Sequence, residues 1–144
     1  MGGERILVVD DDTDIRRLVV EILRLDGFVV EEAACGLDAL DRLQREPAPE
    51  LVLLDVQMPD VDGWEALRTV RGSEPLADLA VVFCTVKASV NDRVQAWDLG
   101  CDGYLTKPFS ITELRAEVAT VVRRTPAQRQ AYRHAMRHQR SVRG

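Results

Sequence analysis

Short apolar runs alternate along this chain with longer segments in which hydrophobic residues recur every three or four positions. The first run, at positions 6–9, precedes hydrophobic residues at positions 15, 18, 19, 22 and 23, which is the spacing of an amphipathic helix. The same alternation occurs five times before position 125. It predicts strands over 5–10, 28–33, 51–55, 80–85 and 103–106. It also predicts a first helix that begins after position 12 or 13 and is ended by Gly27, two helices marked by hydrophobic residues at 37–43 and 64–70, and helices over 90–99 and 111–124.

The predicted strands are mostly apolar, without regular alternation with polar residues. Strands of this kind, each followed by a helix, are typical of a parallel sheet that is covered by helices on both faces. Because crossover connections are right-handed and the helices must cover both faces, the strand order 2-1-3-4-5 is favoured. We therefore predict a doubly wound α/β domain of five βα units, with a switch point between the first and third strands.

Acidic residues end the first and third predicted strands. Asp10, Asp11 and Asp12 follow the first run, and Asp55 follows the run 51–54. If these strands are neighbours, the carboxylates meet at one edge of the sheet, where like charges require a cation or raised pKa values. Oxygen ligands without histidine favour Mg²⁺, with Mn²⁺ as a substitute. Simple helix capping is the alternative for the first acidic group, and either Asp12 or Thr13 is suited to it.

Two further polar side chains lie at predicted strand ends. Thr85 ends the fourth strand, while Lys107 follows the fifth strand and precedes Pro108. A cis bond to that proline would aim the lysine inward. A carboxylate nucleophile, a divalent cation, a hydroxyl donor and an ammonium group can together bind a transferring phosphoryl group. Asp55 is then the candidate nucleophile, and its product would be an aspartyl phosphate.

Composition and charge narrow the class of protein. A chain of 144 residues with 46% hydrophobic and 30% charged residues is typical of one globular domain. Residues 1–124 contain 14 basic and 24 acidic residues, a net charge of −10, which disfavours nucleic-acid binding. The apolar runs are too short for a membrane span and the N-terminus lacks a secretory signal. We therefore expect a cytoplasmic protein with no membrane contact, and three cysteines outside any CxxC pattern fit reduced thiols there.

Three motifs of this chain resemble those of the receiver domains of bacterial two-component response regulators. They are ILVVDDD at 6–12, LLDVQMPDVDG at 53–63 and GYLTKPF at 103–109. The resemblance extends from position 4 to about position 124 and implies a CheY-like, flavodoxin-like fold. Residues 1–124 are thus predicted to form a receiver domain.

The resemblance implies a role for each residue of the expected site. Asp55 would be the phosphoacceptor, with Mg²⁺ held by three carboxylates and one backbone carbonyl, those of Asp10, Asp11, Asp55 and Gln57. Thr85 and Lys107 would contact the phosphoryl oxygens. Tyr104 matches the aromatic switch residue, which turns inward when Thr85 moves toward the phosphoryl group. The alternative for Tyr104 is a strand residue with its hydroxyl in water.

The resemblance also implies a phosphorylation-controlled signalling switch rather than an enzyme. A histidine kinase or phosphotransfer protein would supply the phosphoryl group. The fourth helix, fifth strand and fifth helix would then bind a downstream protein or a second copy of the chain. Alternatively, the chain is the receiver part of a longer regulator with a DNA-binding or enzymatic output domain. An aspartyl-nucleophile phosphatase is disfavoured, because those enzymes place a second acid where this chain has Gln57.

Three residues near the expected site are predicted to set reaction rates. The residue after the switch threonine is usually small in this family, whereas Val86 is β-branched. We expect it to slow phosphorylation by small phosphodonors. Gln57 and Lys87 occupy the positions that control access of water to the acyl phosphate in this family. A long amide and a cation there predict a long-lived phosphorylated form.

The segment 125–144 differs in charge from the rest of the chain. It contains five arginines and no acid, and 125–128 (TPAQ) is typical of a helix start. Four of its arginines, Arg129, Arg133, Arg137 and Arg140, recur on one helix face. The favoured interpretation is a solvated or frayed helical extension or linker. Docking on an acidic partner, including a second copy, is the main alternative, and contact with nucleic-acid phosphates is disfavoured because no DNA-reading module fits in 20 residues.

Overall fold

The computed structural model describes residues 2–74 and 76–143, with side chains through residue 137. Strands and helices alternate through these residues. The strands are β1 (Arg5–Val9), β2 (Val29–Ala33), β3 (Leu51–Leu54), β4 (Ala80–Thr85) and β5 (Gly103–Thr106). The helices are α1 (Thr13–Leu25), α2 (Gly36–Leu43), α3 (Gly63–Arg71), α4 (Val90–Leu99), α5 (Ile111–Arg123) and α6 (Pro126–Arg143), with a 3-10 turn at Leu76–Asp78.

The strands form one parallel sheet in the order β2-β1-β3-β4-β5. The predicted α/β class and strand order are confirmed. Strands β1 and β3 end one residue earlier than predicted, so that Asp10 and Asp55 lie just beyond the sheet. Strand β2 departs from the apolar pattern because it is an edge strand, and Val29 is 42% exposed.

Side chains from the two faces of the sheet fill two apolar cores. Leu7, Val52 and Phe83 pack toward α2, α3 and α4, whereas Ile6 and Val82 pack toward α1 and α5. The apolar stripe predicted for α1 is wrong at Leu18, which is 54% exposed. Helix α1 instead turns positions 19, 20, 22 and 23 toward the sheet. The close packing on both faces holds the strand ends in a rigid frame.

Helix α6 begins with the predicted capping box. The Thr125 amide donates to the Gln128 side chain at 2.8 Å, and the Gln128 amide donates to the Thr125 hydroxyl at 3.1 Å. The expectation of a solvated helix is wrong at Arg133, which is buried against the rest of the chain, whereas most other described side chains of α6 are exposed. Arg140 lies outside the described side chains, and the division into a domain and an extension stays a prediction.

No helix among residues 2–74 and 76–143 is long and apolar enough to span a membrane.

Candidate functional site

Asp10 and Asp55 lie side by side at the carboxyl edge of the sheet. Val9 and Leu54 are register partners in β1 and β3, and the Asp55 amide donates to the Val9 carbonyl at 3.2 Å. The next residue after each partner is an aspartate, and both aspartates are buried, at 4% and 7% exposure. The parallel register therefore brings together two carboxylates that are 45 positions apart in sequence.

Lys107 lies between these two carboxylates. Its Nζ donates to Asp10 Oδ2 at 2.6 Å and to Asp55 Oδ2 at 2.8 Å. The backbone of Lys107 is fixed by donation of its amide to the Thr85 carbonyl at 2.8 Å, and the peptide bond to Pro108 is cis, as the sequence suggests. One ammonium group thus reaches both strand ends from β5.

A third carboxylate completes an acidic cluster. Asp10, Asp11 and Asp55 offer oxygen atoms within 4.8 Å of one another, and Asp11 is exposed while the other two are buried. Hard oxygen ligands with one open side fit Mg²⁺, which keeps several water ligands. Asp12 has a different role, because its Oδ1 accepts from the amides of Asp14 and Ile15 and caps α1. The capping alternative therefore applies to Asp12 alone.

Burial and ion pairing have opposite effects on the pKa values of the charged groups at this site. Burial raises the pKa of Asp10, although the hydrogen bond from Lys107 acts to lower it. Burial by itself lowers the pKa of Lys107, but hydrogen bonds to Asp10 and Asp55 more than offset this and raise it overall. Lys107 is therefore cationic at neutral pH, and it supplies part of the positive charge that a cluster of carboxylates requires.

Thr85 and Tyr104 are joined through the backbone of Lys87. The Lys87 amide donates to the Thr85 hydroxyl at 3.3 Å, and the Tyr104 hydroxyl donates to the Lys87 carbonyl at 2.6 Å. Thr85 is fully buried and Tyr104 is 9% exposed. The Arg93 guanidinium lies 5.2 Å from the centre of the Tyr104 ring. Tyr104 therefore points inward, and the alternative with its hydroxyl in water is wrong.

A cleft of about 550 Å³ opens beside the acidic cluster. Asp11, Gln57, Trp64 and Lys87 line it together with the loop after β3. Gln57 and Lys87 thus face the same space as the exposed carboxylate of the cluster. Val86 is 58% exposed and is not among the residues that line this cleft.

The family model for the response regulator receiver domain matches residues 6–119. The chain belongs to this family. It is 37% identical over 131 residues to the DNA-binding dual master transcriptional regulator RpaA of Synechocystis, covering 91% of this chain and 54% of that protein. It is 41% identical over 133 residues to the response regulator MprA of Mycobacterium tuberculosis, covering 92% of this chain and 56% of that protein.

The structure resembles solved receiver domains as well. The chemotaxis protein CheY4 of Vibrio cholerae superposes with a TM-score of 0.78 at 29% identity, over 83% of this chain and 99% of that chain. The chain is therefore a receiver domain with the CheY-like fold, and receiver domains are signalling proteins rather than classical enzymes. It spans about half the length of the curated relatives RpaA and MprA.

Asp60, in the loop after β3, has a structural role that the sequence analysis missed. Its side chain accepts from the Gly36 amide at 3.0 Å and from the Leu37 amide at 3.1 Å. These backbone hydrogen bonds, with that from Leu37 the largest influence, lower the pKa of Asp60 to about 2. The loop after β3 thereby caps α2, which follows β2. The motif contains Asp60, but nothing in the sequence identifies partners more than twenty positions away.

Proposed function

We propose that Asp55 accepts a phosphoryl group in a reaction that requires Mg²⁺. The observation that carries this proposal is the position of Lys107, whose Nζ lies within hydrogen-bond distance of both Asp10 and Asp55. The buried carboxylate, the neighbouring acids and the ammonium group form the set of charges that phosphoryl transfer needs. Asp10, Asp11, Asp55 and the Gln57 carbonyl would hold the metal, which neutralises charge on the transferring group.

In the proposed reaction an Asp55 oxygen attacks the phosphorus atom of the donor. A bond forms between phosphorus and the carboxylate oxygen while the bond between phosphorus and the leaving group breaks. The leaving group is a histidine nitrogen when a histidine kinase or phosphotransfer protein is the donor. Lys107 stabilises the negative charge on the phosphoryl oxygens. Asp10 keeps Lys107 oriented, since the two side chains are paired at 2.6 Å.

The new charge at Asp55 would then change the loop after β4. Thr85 can donate its hydroxyl to a phosphoryl oxygen, and the Lys87 backbone links Thr85 to Tyr104. Differential contacts of this kind shift the balance between two arrangements of a loop and a ring. The proposed output surface is formed by α4, β5 and α5, and its partner is a downstream protein or a second copy of the chain.

The relatives favour a second form of the same proposal. RpaA is described as a DNA-binding transcriptional regulator, and this chain matches only 54% of its length. The chain would then act as the receiver part of a longer regulator with a DNA-binding output. A cytoplasmic location and the rate-setting role of Val86 stay predictions.

Beryllofluoride, which mimics a phosphoryl group, tests the proposal directly. With Mg²⁺ present it should bind and change the fluorescence of Trp64, which lines the cleft. A Trp97→Phe chain would leave Trp64 as the only indole. The response should be saturable, should require Mg²⁺, and should be lost in Lys107→Ala because the fluoride atoms lose their cationic partner. An unchanged signal with Mg²⁺ and beryllofluoride would refute phosphoryl binding at this site.

The lifetime of the phosphorylated form tests the role of the cleft residues. Gln57 and Lys87 line the cleft beside the acidic cluster. Gln57→Ala and Lys87→Ala should therefore each increase the access of water to the acyl phosphate and speed dephosphorylation severalfold. Loss of a radiolabelled phosphoryl group from the phosphorylated chain measures the rate of dephosphorylation. Arg17→Ala, on α1 outside this cleft, should leave the rate unchanged. A half-life of only seconds for the unmodified chain would argue against shielding.

A further inference from the structure

The basic face of α6 is turned toward the acidic residues 1–124, which we call the receiver body. Arg129 donates to the Asp78 carbonyl at 3.1 Å, and Arg137 donates to the Trp97 carbonyl at 3.3 Å. Between them, Arg133 donates to both oxygens of Asp102, at 2.7 and 2.9 Å. Arg129, Arg133 and Arg137, the arginines of α6 whose side chains are described, therefore hold the helix against the preceding part of the same chain.

Arg133 and Asp102 form the most buried contact of this interface. Arg133 is 7% exposed and Asp102 is 1% exposed. Asp102 also accepts from Arg71 at 3.0 Å and from the Val81 amide at 2.9 Å. A bidentate pair with a carboxylate fixes both the position and the orientation of a guanidinium. The pair with Asp102, the residue just before β5, thus helps to fix the register of α6 along the rest of the chain.

Helix α6 also packs on α4, which belongs to the proposed output surface. The Tyr132 ring lies edge-on to Trp97 with centres 5.6 Å apart. One helical turn before Trp97, Arg93 lies over the ring of Tyr104. Tyr104 donates to the Lys87 carbonyl, two residues beyond Thr85. A series of contacts therefore runs from α6 through α4 and Tyr104 to Thr85, the proposed phosphoryl-binding hydroxyl.

We propose that α6 is an intramolecular ligand of the receiver body, and that its docking on α4 and Asp102 strengthens phosphoryl binding at Asp55. This inference depends on the proposed function. The docked helix is present together with the inward orientation of Tyr104, which is the orientation that a phosphoryl group would favour through Thr85 under the proposed function. Two events that favour the same arrangement must strengthen each other, because coupling between binding sites is reciprocal.

Hydrogen exchange on the unmodified chain tests one direction of the coupling. Beryllofluoride with Mg²⁺ should slow amide exchange within α6, because tighter docking reduces opening of the helix. Exchange rates in α6 that do not respond to bound beryllofluoride would overturn the proposal. This measurement needs no substitution, so it stands even if a variant fails to fold.

Affinity for beryllofluoride tests the reverse direction. Arg133→Ala removes the docking pair but leaves Asp102 with Arg71 and the Val81 amide, so the body should fold. Fluorine NMR should show at least about fivefold weaker binding, which is within the usual range of coupling between sites. Arg17→Ala removes one exposed arginine from α1, outside the proposed output surface, and is the charge-matched control, with unchanged affinity expected.

A double substitution separates coupling from general damage. Tyr104→Ala should break the series of contacts between α6 and Thr85. In a chain with Tyr104→Ala, adding Arg133→Ala should cause no further loss of affinity for beryllofluoride. Equal affinity of Arg133→Ala and the unmodified chain would overturn the coupling while leaving phosphoryl binding intact, and so would independent, additive losses. Failure of the unmodified chain to bind beryllofluoride would instead refute the proposed function, and the coupling with it.

Discussion

Replacing Asp55 with asparagine is expected to abolish phosphoryl acceptance completely. The amide cannot supply a carboxylate oxygen as nucleophile, and it removes one of the three acids that would hold Mg²⁺. Folding should survive, because Lys107 keeps its pair with Asp10 at 2.6 Å. Incubation with acetyl phosphate and Mg²⁺, followed by intact mass measurement, should show a phosphorylated species for the unmodified chain and none for Asp55→Asn.

Asp14→Asn is the matched control for this substitution. Asp14 is an exposed carboxylate in the first turn of α1, so its loss should leave labelling unchanged. If Asp55→Asn were labelled as fast as the unmodified chain, another carboxylate such as Asp10 or Asp11 would be the acceptor. That result would contradict the assignment of Asp55.

Replacing Asp102 with alanine should lower the free energy of unfolding by about 3–5 kcal/mol, the usual cost of removing one partner from a buried ion pair. The Asp102 side chain is 0% exposed and forms ion pairs with both Arg71 and Arg133. Burial, with repulsion from Arg133, already lowers the pKa of Arg71 to about 10. Without the carboxylate, the two guanidinium groups would lie close together with no carboxylate partner among the side chains that the structure describes. Urea denaturation measures the change.

Asp41→Ala provides the comparison for a surface pair. Asp41 and Arg45 are 3.9 Å apart and both largely exposed, and such pairs contribute about 0–1 kcal/mol. A stability loss for Asp102→Ala as small as that for Asp41→Ala would mean that the three-residue cluster does not stabilise the docked helix.

The candidate site could be predicted well from sequence because its residues follow strand ends. Once β1 and β3 are neighbours, Asp10 and Asp55 must meet at the carboxyl edge, and Lys107 follows β5 at the same edge. Each of these positions depends on local periodicity and on a small set of allowed strand orders. The inward position of Tyr104 could not be predicted in this way, since it depends on one hydrogen bond to the Lys87 carbonyl.

The role of α6 shows where sequence reasoning was insufficient. The capping residues Thr125 and Gln128 predict where this helix begins, because capping involves neighbours in sequence. Its basic face has no apolar stripe that would indicate burial, so the sequence predicts a solvated helix. The buried position of Arg133 depends on Asp102, 31 residues away, and on Arg71 at the end of α3.

The sequence by itself determined the βα alternation, the strand order, and the group of acids and lysine that identifies a receiver domain. These features depend on periodicity and on short motifs, which act over a few residues. Only the tertiary structure decided which carboxylates Lys107 contacts, that Asp60 caps α2, and that α6 docks on its own chain through Arg133. Those contacts join residues distant in sequence, and packing of the whole chain selects among many charged partners.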